Sequence, residues 1–280
     1  MTAQLLKDEL IAARYGSQNA PEKIIWNAQI AGILNHRSVR SYLNKPLPDG
    51  WLETLVAAAQ SASTSSNLQQ WSVIAVTDPD TKAQVRTLAG GSNGLGNSYI
   101  DQAPAILLWL ADISRNHHIT LDAGLNPCVH EYLDAFLMAS LDAALAAQNA
   151  SLAAESIGLG TVYIGAVRNK AKELAELLHL PQYSYVVCGL VVGWPDPDIR
   201  TDIRPRLPQQ VVLHHNRYEA RELSGDIASY EEVFKTFRQG LGMQDKTWQE
   251  AVQASSTDMT YMDGRQALRK TLDERGFGFK

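Results

Sequence analysis

Cysteine is scarce: Cys128 and Cys188 are the two in 280 residues. They lie far apart and lack the close Cys/His spacing of a zinc site, which argues against a disulfide scaffold and for a reduced, cytoplasmic chain. Long apolar runs are missing too. The longest, Ala105 to Leu110 and Val186 to Val192, have strand length and fall far short of the roughly 20 residues of a membrane helix. An excess of positive charge is also absent. With 25 Lys and Arg against 30 Asp and Glu, the net charge is −5, so no nucleic-acid partner is expected. No linker rich in Pro, Ser or Gly divides the sequence, and a single domain over residues 1–280 is expected, with N-terminal helices in 1–34 and a helical C-terminal extension in 226–280. The opening stretch MTAQLLKDELIAARYG carries acids among its apolar residues and reads as an amphipathic helix, not a signal peptide.

What is present centres on Asn126 to Arg168. From Glu131 to Ile157 nothing breaks a helix, and Leu133, Phe136, Leu137, Leu141, Ala144, Leu145, Ala147, Leu152 and Ala153 spread over nearly its whole circumference. A helix apolar all round is buried, which makes this one the expected spine of the core. Gly158 supplies a left-handed helix end, and Thr161 to Val167 reads as a β-branched strand closed by Gly165. Gly158-Leu-Gly160 therefore follows a helix and precedes a strand, the reverse of a dinucleotide-binding turn.

Other elements follow by periodicity and caps. Helices are expected over 4–14, 21–34 (opened by Pro21), 52–61, 79–88 and 170–179, and strands over 71–77, 105–110 and 185–194; Ser114 to Pro127 reads as irregular. His117-His118 and His214-His215 read as surface residues, with no metal site expected.

Three loops carry candidate chemistry. His36-Arg37-Ser38-Val39-Arg40 gathers donors at a helix end, which suits either a dianionic phosphate or a solvated turn near a helix C-terminus. Ser63-Thr64-Ser65-Ser66-Asn67 offers hydroxyls to a polar ligand edge or is a plain polar loop. Asp198 to Pro208 stiffens Arg200, Arg204 and Arg206 with prolines, as a ligand clamp or an exposed connector. Gly90 to Gly94 spells G-x-S-x-G around Ser92, yet a serine hydrolase needs a strand before it, and an amphipathic helix stands there.

Six blocks in this order resemble the nitroreductase superfamily: His36 to Arg40, Ser63 to Gln69, Gly90-Gly91, Gln148 to Ala150 with Ala154 to Gly160, Val162 to Gly165 and Arg204 to Pro208. The resemblance is greatest to the oxygen-insensitive NADPH nitroreductases and NADPH-flavin oxidoreductases. It implies an α+β fold, a mostly antiparallel sheet flanked by helices around a long central helix, in a domain-swapped homodimer binding FMN non-covalently at its interface. Carried over by position, it implies that His36, Arg37, Ser38 and Arg40 hold the FMN phosphate and ribityl chain, with Arg204 and Arg206 closing on the same ligand. Thr64, Ser65 and Ser92 would meet polar edges, and Tyr163, Ile164 and Gly165 would present backbone to the ring. Ser66 and Asn67 fall to the substrate side, and Arg238 matches an arginine that meets the NADPH 2′-phosphate. The implied activity is two-electron, ping-pong reduction of nitroaromatics, quinones or flavins by NAD(P)H, NADPH being favoured, with no catalytic acid or base in the protein. A dedicated NAD(P)H-flavin reductase, a flavin-binding protein without turnover and the Ser92 hydrolase are the alternatives. Departures include Ser92 in place of a glutamine, Ala166 in place of a second glycine, and Gln244 or its neighbours where a further arginine is expected.

Overall fold

In the computed structural model, which describes residues 3–90 and 96–280, the elements are α1 (Ala3–Tyr15), α2 (Ala28–Leu34), α3 (Trp51–Gln60), β1 (Trp71–Val76), α4 (Pro79–Ala89), α5 (Tyr99–Gln102), β2 (Ala105–Asp112) and α6 (Ser114–Asp122). There follow α7 (Leu133–Ser156), β3 (Gly160–Ile164), α8 (Ala171–Leu177), β4 (Ser184–Gly193), α9 (Gln209–Val212), α10 (Ser224–Gly240), α11 (Trp248–Thr257) and α12 (Leu268–Glu274). They form two compact units, one of Met1–Arg37 with Pro197–Tyr261, the other of Ser38–Asp196 with Met262–Lys280.

The second unit is α+β, built on a four-stranded antiparallel sheet in the order β1-β2-β4-β3. Every residue of β2 is buried, because alternate side chains of its unbroken apolar run serve two cores. Ile106, Leu108 and Leu110 join Val85, Ile100 and Val167 on one face. Leu107 and Trp109 join Leu55, Ala59, Ala146, Ala147, Ala150 and Ala154 on the other. Alanines let α7 lie close against α3 and the sheet. At the sheet's end, Leu272 and Phe277 pack with Ala111, Ile113, Ala135 and Tyr185.

The spine helix is correctly placed but not buried all round. Ala135, Ala139, Ala143, Ala146, Ala147, Ala150 and Ala154 are buried, whereas Ala144 is exposed and Leu133, Leu137, Leu141 and Leu145 are 45–60% exposed. Spaced four apart, these leucines share one face, left open to solvent among the described residues. The helix ends as expected at Gly158, whose φ of 86° a side chain would strain.

Two other expectations are corrected. Pro21 does not open a helix: α2 starts at Ala28, where the Asn27 side chain accepts the Ile30 amide at 2.8 Å, a cap stronger than a proline at the first turn. Ser114 to Asp122 is a helix, held at its start by Asp112, whose carboxylate accepts the Ser114 amide at 3.0 Å and pairs with Arg115 at 3.1 Å.

Gly160 is fixed by space: a Cβ there would fall 2.6 Å from Val39 Cγ2 and 2.8 Å from Val39 Cβ. The Val39 amide donates to the Thr161 carbonyl at 2.9 Å, which brings Ser38 against β3. Gly160→Ala should force this contact apart and destabilise by about 1–3 kcal/mol. Urea unfolding checks it, and a loss within about 0.5 kcal/mol would mean that Val39 yields freely.

Candidate functional site

Within the first unit, two of the predicted arginine loops meet through a residue the sequence reading passed over. Arg14, near the end of α1 and 6% exposed, donates from Nη2 to the carbonyls of Leu34 (2.9 Å) and His36 (3.0 Å) and from Nη1 to that of Arg204 (2.8 Å). Its own carbonyl accepts the Arg206 amide at 2.8 Å. Burial of a guanidinium is tolerable only with such hydrogen bonding. His36 and Arg37 are thereby brought together with Arg204 and Arg206, although some 170 residues separate the two stretches. Arg37 donates to Thr201 Oγ1 at 3.2 Å, while the Arg204 and Arg206 side chains are exposed.

Arg238 belongs to the same unit. Its Nε donates to the Gln244 carbonyl at 2.8 Å and its guanidinium lies 5.6 Å from the Phe234 ring centroid. Arg204, Arg206 and Arg238 line a cleft of about 600 Å³ with Tyr230, Phe234 and Trp248. Gln244, where a further arginine was expected, thus steers Arg238 through its backbone.

In the second unit, Ser38 lies beside Thr161 at the open edge of the sheet, on the strand that carries Tyr163 and Ile164. Edge-strand backbone groups beyond that bridge are not used by a neighbouring strand. Gly165 has an ordinary φ of −80°, so it is not there for conformational freedom; a Cβ would lie 3.2 Å from the Arg168 guanidinium. Arg40 is exposed and hydrogen-bonds the Tyr99 phenol, whose pKa burial raises and Arg40 opposes.

Ser65–Asn67 form a 3-10 turn after α3, with Thr64 extended at its N-cap. Ser66, Asn67 and Gln69 all have positive φ, 50°, 57° and 52°, a conformation that costs such residues about 1–2 kcal/mol apiece and needs external support. Asp142, 1% exposed on α7, supplies it by accepting the amides of Ser65 (2.8 Å) and Gln70 (3.3 Å). Arg115 on α6 adds bonds to the carbonyls of Gln69 (2.8 Å) and Trp71 (2.9 Å). Thr64, Asn67 and Gln69 line a polar cleft of about 380 Å³. A lone carboxylate amid alanines, Asp142 was a signal available in the sequence.

Ser92 lies outside the described residues, but Gly90 is the C-cap of α4, so the G-x-S-x-G run follows a helix, unlike a nucleophile elbow. His118 and His215 are exposed, and His117 and His214 are half-buried. His117 stacks on Tyr183 at 3.7 Å with its Nδ1 3.1 Å from that of His130; burial and then His118 lower the pKa of His117, and burial and then His117 lower that of His130. His214 accepts the Glu219 amide at 3.3 Å. Among the described residues no group of three or more His, Cys, Asp or Glu could hold a metal ion, and no helix is long and apolar enough to cross a membrane.

Comparison with known proteins bears directly on these loops. The nitroreductase family model matches residues 33–194, and that for the family's C-terminal domain matches residues 204–280. An FMN reductase [NAD(P)H] of Bacillus subtilis is 36% identical over 261 residues, covering 90% of this chain and 98% of that protein. The NADPH-flavin oxidoreductase of Vibrio harveyi is 36% identical over 229 residues, covering 81% and 90%. The solved NfrA1 nitroreductase of B. subtilis superimposes with a TM-score of 0.81 at 33% identity, covering 89% of this chain and 98% of that one. Matched along nearly its whole length in sequence and in fold, the chain belongs to the nitroreductase family.

Proposed function

We propose that this protein is an FMN-dependent NAD(P)H oxidoreductase that reduces flavins, nitroaromatics or quinones and works as a cytoplasmic homodimer. The observation that carries the cofactor is the convergence of the His36 turn and the Arg204–Arg206 loop on Arg14. Exposed guanidiniums gathered on carbonyl-tethered backbone are the donor set that a dianionic phosphate requires. The relatives named above, an FMN reductase and an NADPH-flavin oxidoreductase, support the same reading.

On this reading His36, Arg37, Ser38, Arg40, Arg204 and Arg206 bind the phosphate and ribityl chain. Thr64, Ser65 and Ser92 meet polar edges, and the backbone of Tyr163, Ile164 and Gly165 faces the ring. FMN, when bound, supplies the chemistry, two-electron transfer from a reduced nicotinamide to the acceptor. The chain's own tasks are orientation and charge: the strained turn at Ser66 and Asn67 borders the acceptor, and Arg238 offers a cation to a nicotinamide 2′-phosphate. No side chain is assigned as acid or base.

The exposed leucines of α7 support the dimer, since such a stripe ordinarily marks an interface. Of the 226–280 extension, Leu272 and Phe277 pack within their own unit and Tyr230 and Phe234 are buried in theirs, so 248–261, with Val252, Met259 and Tyr261 exposed, is the stretch proposed to wrap the partner. Free Cys128 and Cys188 agree with a reducing compartment.

Titrating FMN into the apoprotein tests the assignment. A charge-assisted hydrogen bond is worth about 1.5–3 kcal/mol, so Arg40→Ala should weaken FMN by tenfold or more and Ser38→Ala by less. The loaded enzyme should show a higher kcat/KM with NADPH than with NADH. Failure of the wild type to take up excess FMN, or unchanged affinity in Arg40→Ala, overturns the assignment.

A further inference from the structure

We infer that Arg14 is a positioning residue for phosphate binding, a part of the site supplied by a helix that neither family model reaches; their matches begin at residues 33 and 204. The inference rests on the FMN reading and adds to it the device that sets the grip. Arg14 draws three carbonyl oxygens, those of Leu34, His36 and Arg204, onto one planar fork. Carbonyl oxygens repel an anion, and the end of α2 presents unsatisfied ones by construction. Turning them onto a buried cation removes that repulsion and adds positive charge behind the site.

The trans peptide between His36 and Arg37 then aims the Arg37 N–H away from Arg14. The return bond from the Arg206 amide to the Arg14 carbonyl, 2.8 Å long, ties down Arg206 itself, between Pro205 and Pro208. Holding these segments before the ligand arrives lowers the ordering cost of binding. Lysine cannot do the same, because a single ammonium lacks the rigid fork that spans carbonyls on separate segments.

The test uses the full-length apoprotein and the variants Arg14→Lys and Arg14→Gln, titrated with FMN and with riboflavin, which has the same ring and ribityl chain but no phosphate. Both variants should lose about tenfold or more in FMN affinity and keep riboflavin affinity within about twofold. Amide hydrogen exchange in the apoprotein should accelerate at residues 34–37 and 204–207 in both. Equal weakening of FMN and riboflavin would make Arg14 a general packing residue and overturn the inference, as would FMN affinity restored in full by lysine. If the wild type prefers FMN to riboflavin and the variants keep that preference, Arg14 alone is wrongly assigned. A wild type without the preference sinks the underlying FMN reading as well.

Discussion

Asp142→Ala is expected to destabilise the protein by about 2–4 kcal/mol and to raise KM for the electron acceptor severalfold. The carboxylate accepts the amides of Ser65 and Gln70 from a position 1% exposed. Removing it leaves the buried Gln70 N–H without this acceptor, at about 1–3 kcal/mol, and ends a charge-assisted bond to Ser65. Relief of the desolvated charge offsets part of that loss. The left-handed backbone at Ser66, Asn67 and Gln69 would then have Arg115 as its main remaining tether, and the turn should relax toward ordinary φ values. Asp142→Asn, which can accept one amide but turns a donor toward the other, should fall between. Urea unfolding followed by steady-state kinetics separates the stability effect from the site effect. A loss below about 0.5 kcal/mol with unchanged KM would show that the turn holds itself.

This dependence of a loop on a distant carboxylate shows where the sequence is legible and where it is not. Strand β2 could be read because an unbroken apolar run has few other destinations. Helix α4 could be read because the Asp78 cap, Pro79 and the amphipathic spacing agree. The order helix, Gly158, strand was clear for the same reason: local propensity and tertiary packing pointed the same way. Pro21 misled because a good N1 residue says nothing about a better cap at Asn27 six residues on. Ser114 to Asp122 was missed because its start is fixed by Asp112, a strand residue paired with Arg115. The phosphate-type loops were recognised by their residue types, but not what places them: Arg14 acts through carbonyls 20, 22 and 190 residues away, and Asp142 through amides 77 and 72 residues away. Periodicity carries no record of such pairings, although a lone charge on an otherwise apolar helix face does mark where to look.

The spine helix was misread in an instructive way, and its exposed face leads to the largest expected effect. Leu133, Leu137, Leu141 and Leu145 are 45–60% exposed and lie four residues apart, a stripe a little over three helical turns long. Covering a leucine fully is worth about 1.5–3 kcal/mol, so finishing these half-exposed ones contributes roughly 1 kcal/mol each, doubled across a two-fold interface where the stripe meets itself. The sum, about 8 kcal/mol before the costs of association, makes the stripe a large part of a stable interface but not the whole of one. Leu137→Glu/Leu141→Glu would place four carboxylates, two from each subunit, in the middle of that self-complementary surface, where each must be desolvated beside like charge. The wild type should therefore elute as a dimer in light-scattering chromatography at micromolar concentration, and the double variant as a folded monomer, because in the single chain both positions already face solvent. FMN affinity should fall with the dimer if the partner completes the binding site. A wild type that is monomeric with this stripe bare would remove the dimer from the proposal. A double variant that remains dimeric would move the interface to another face of the protein.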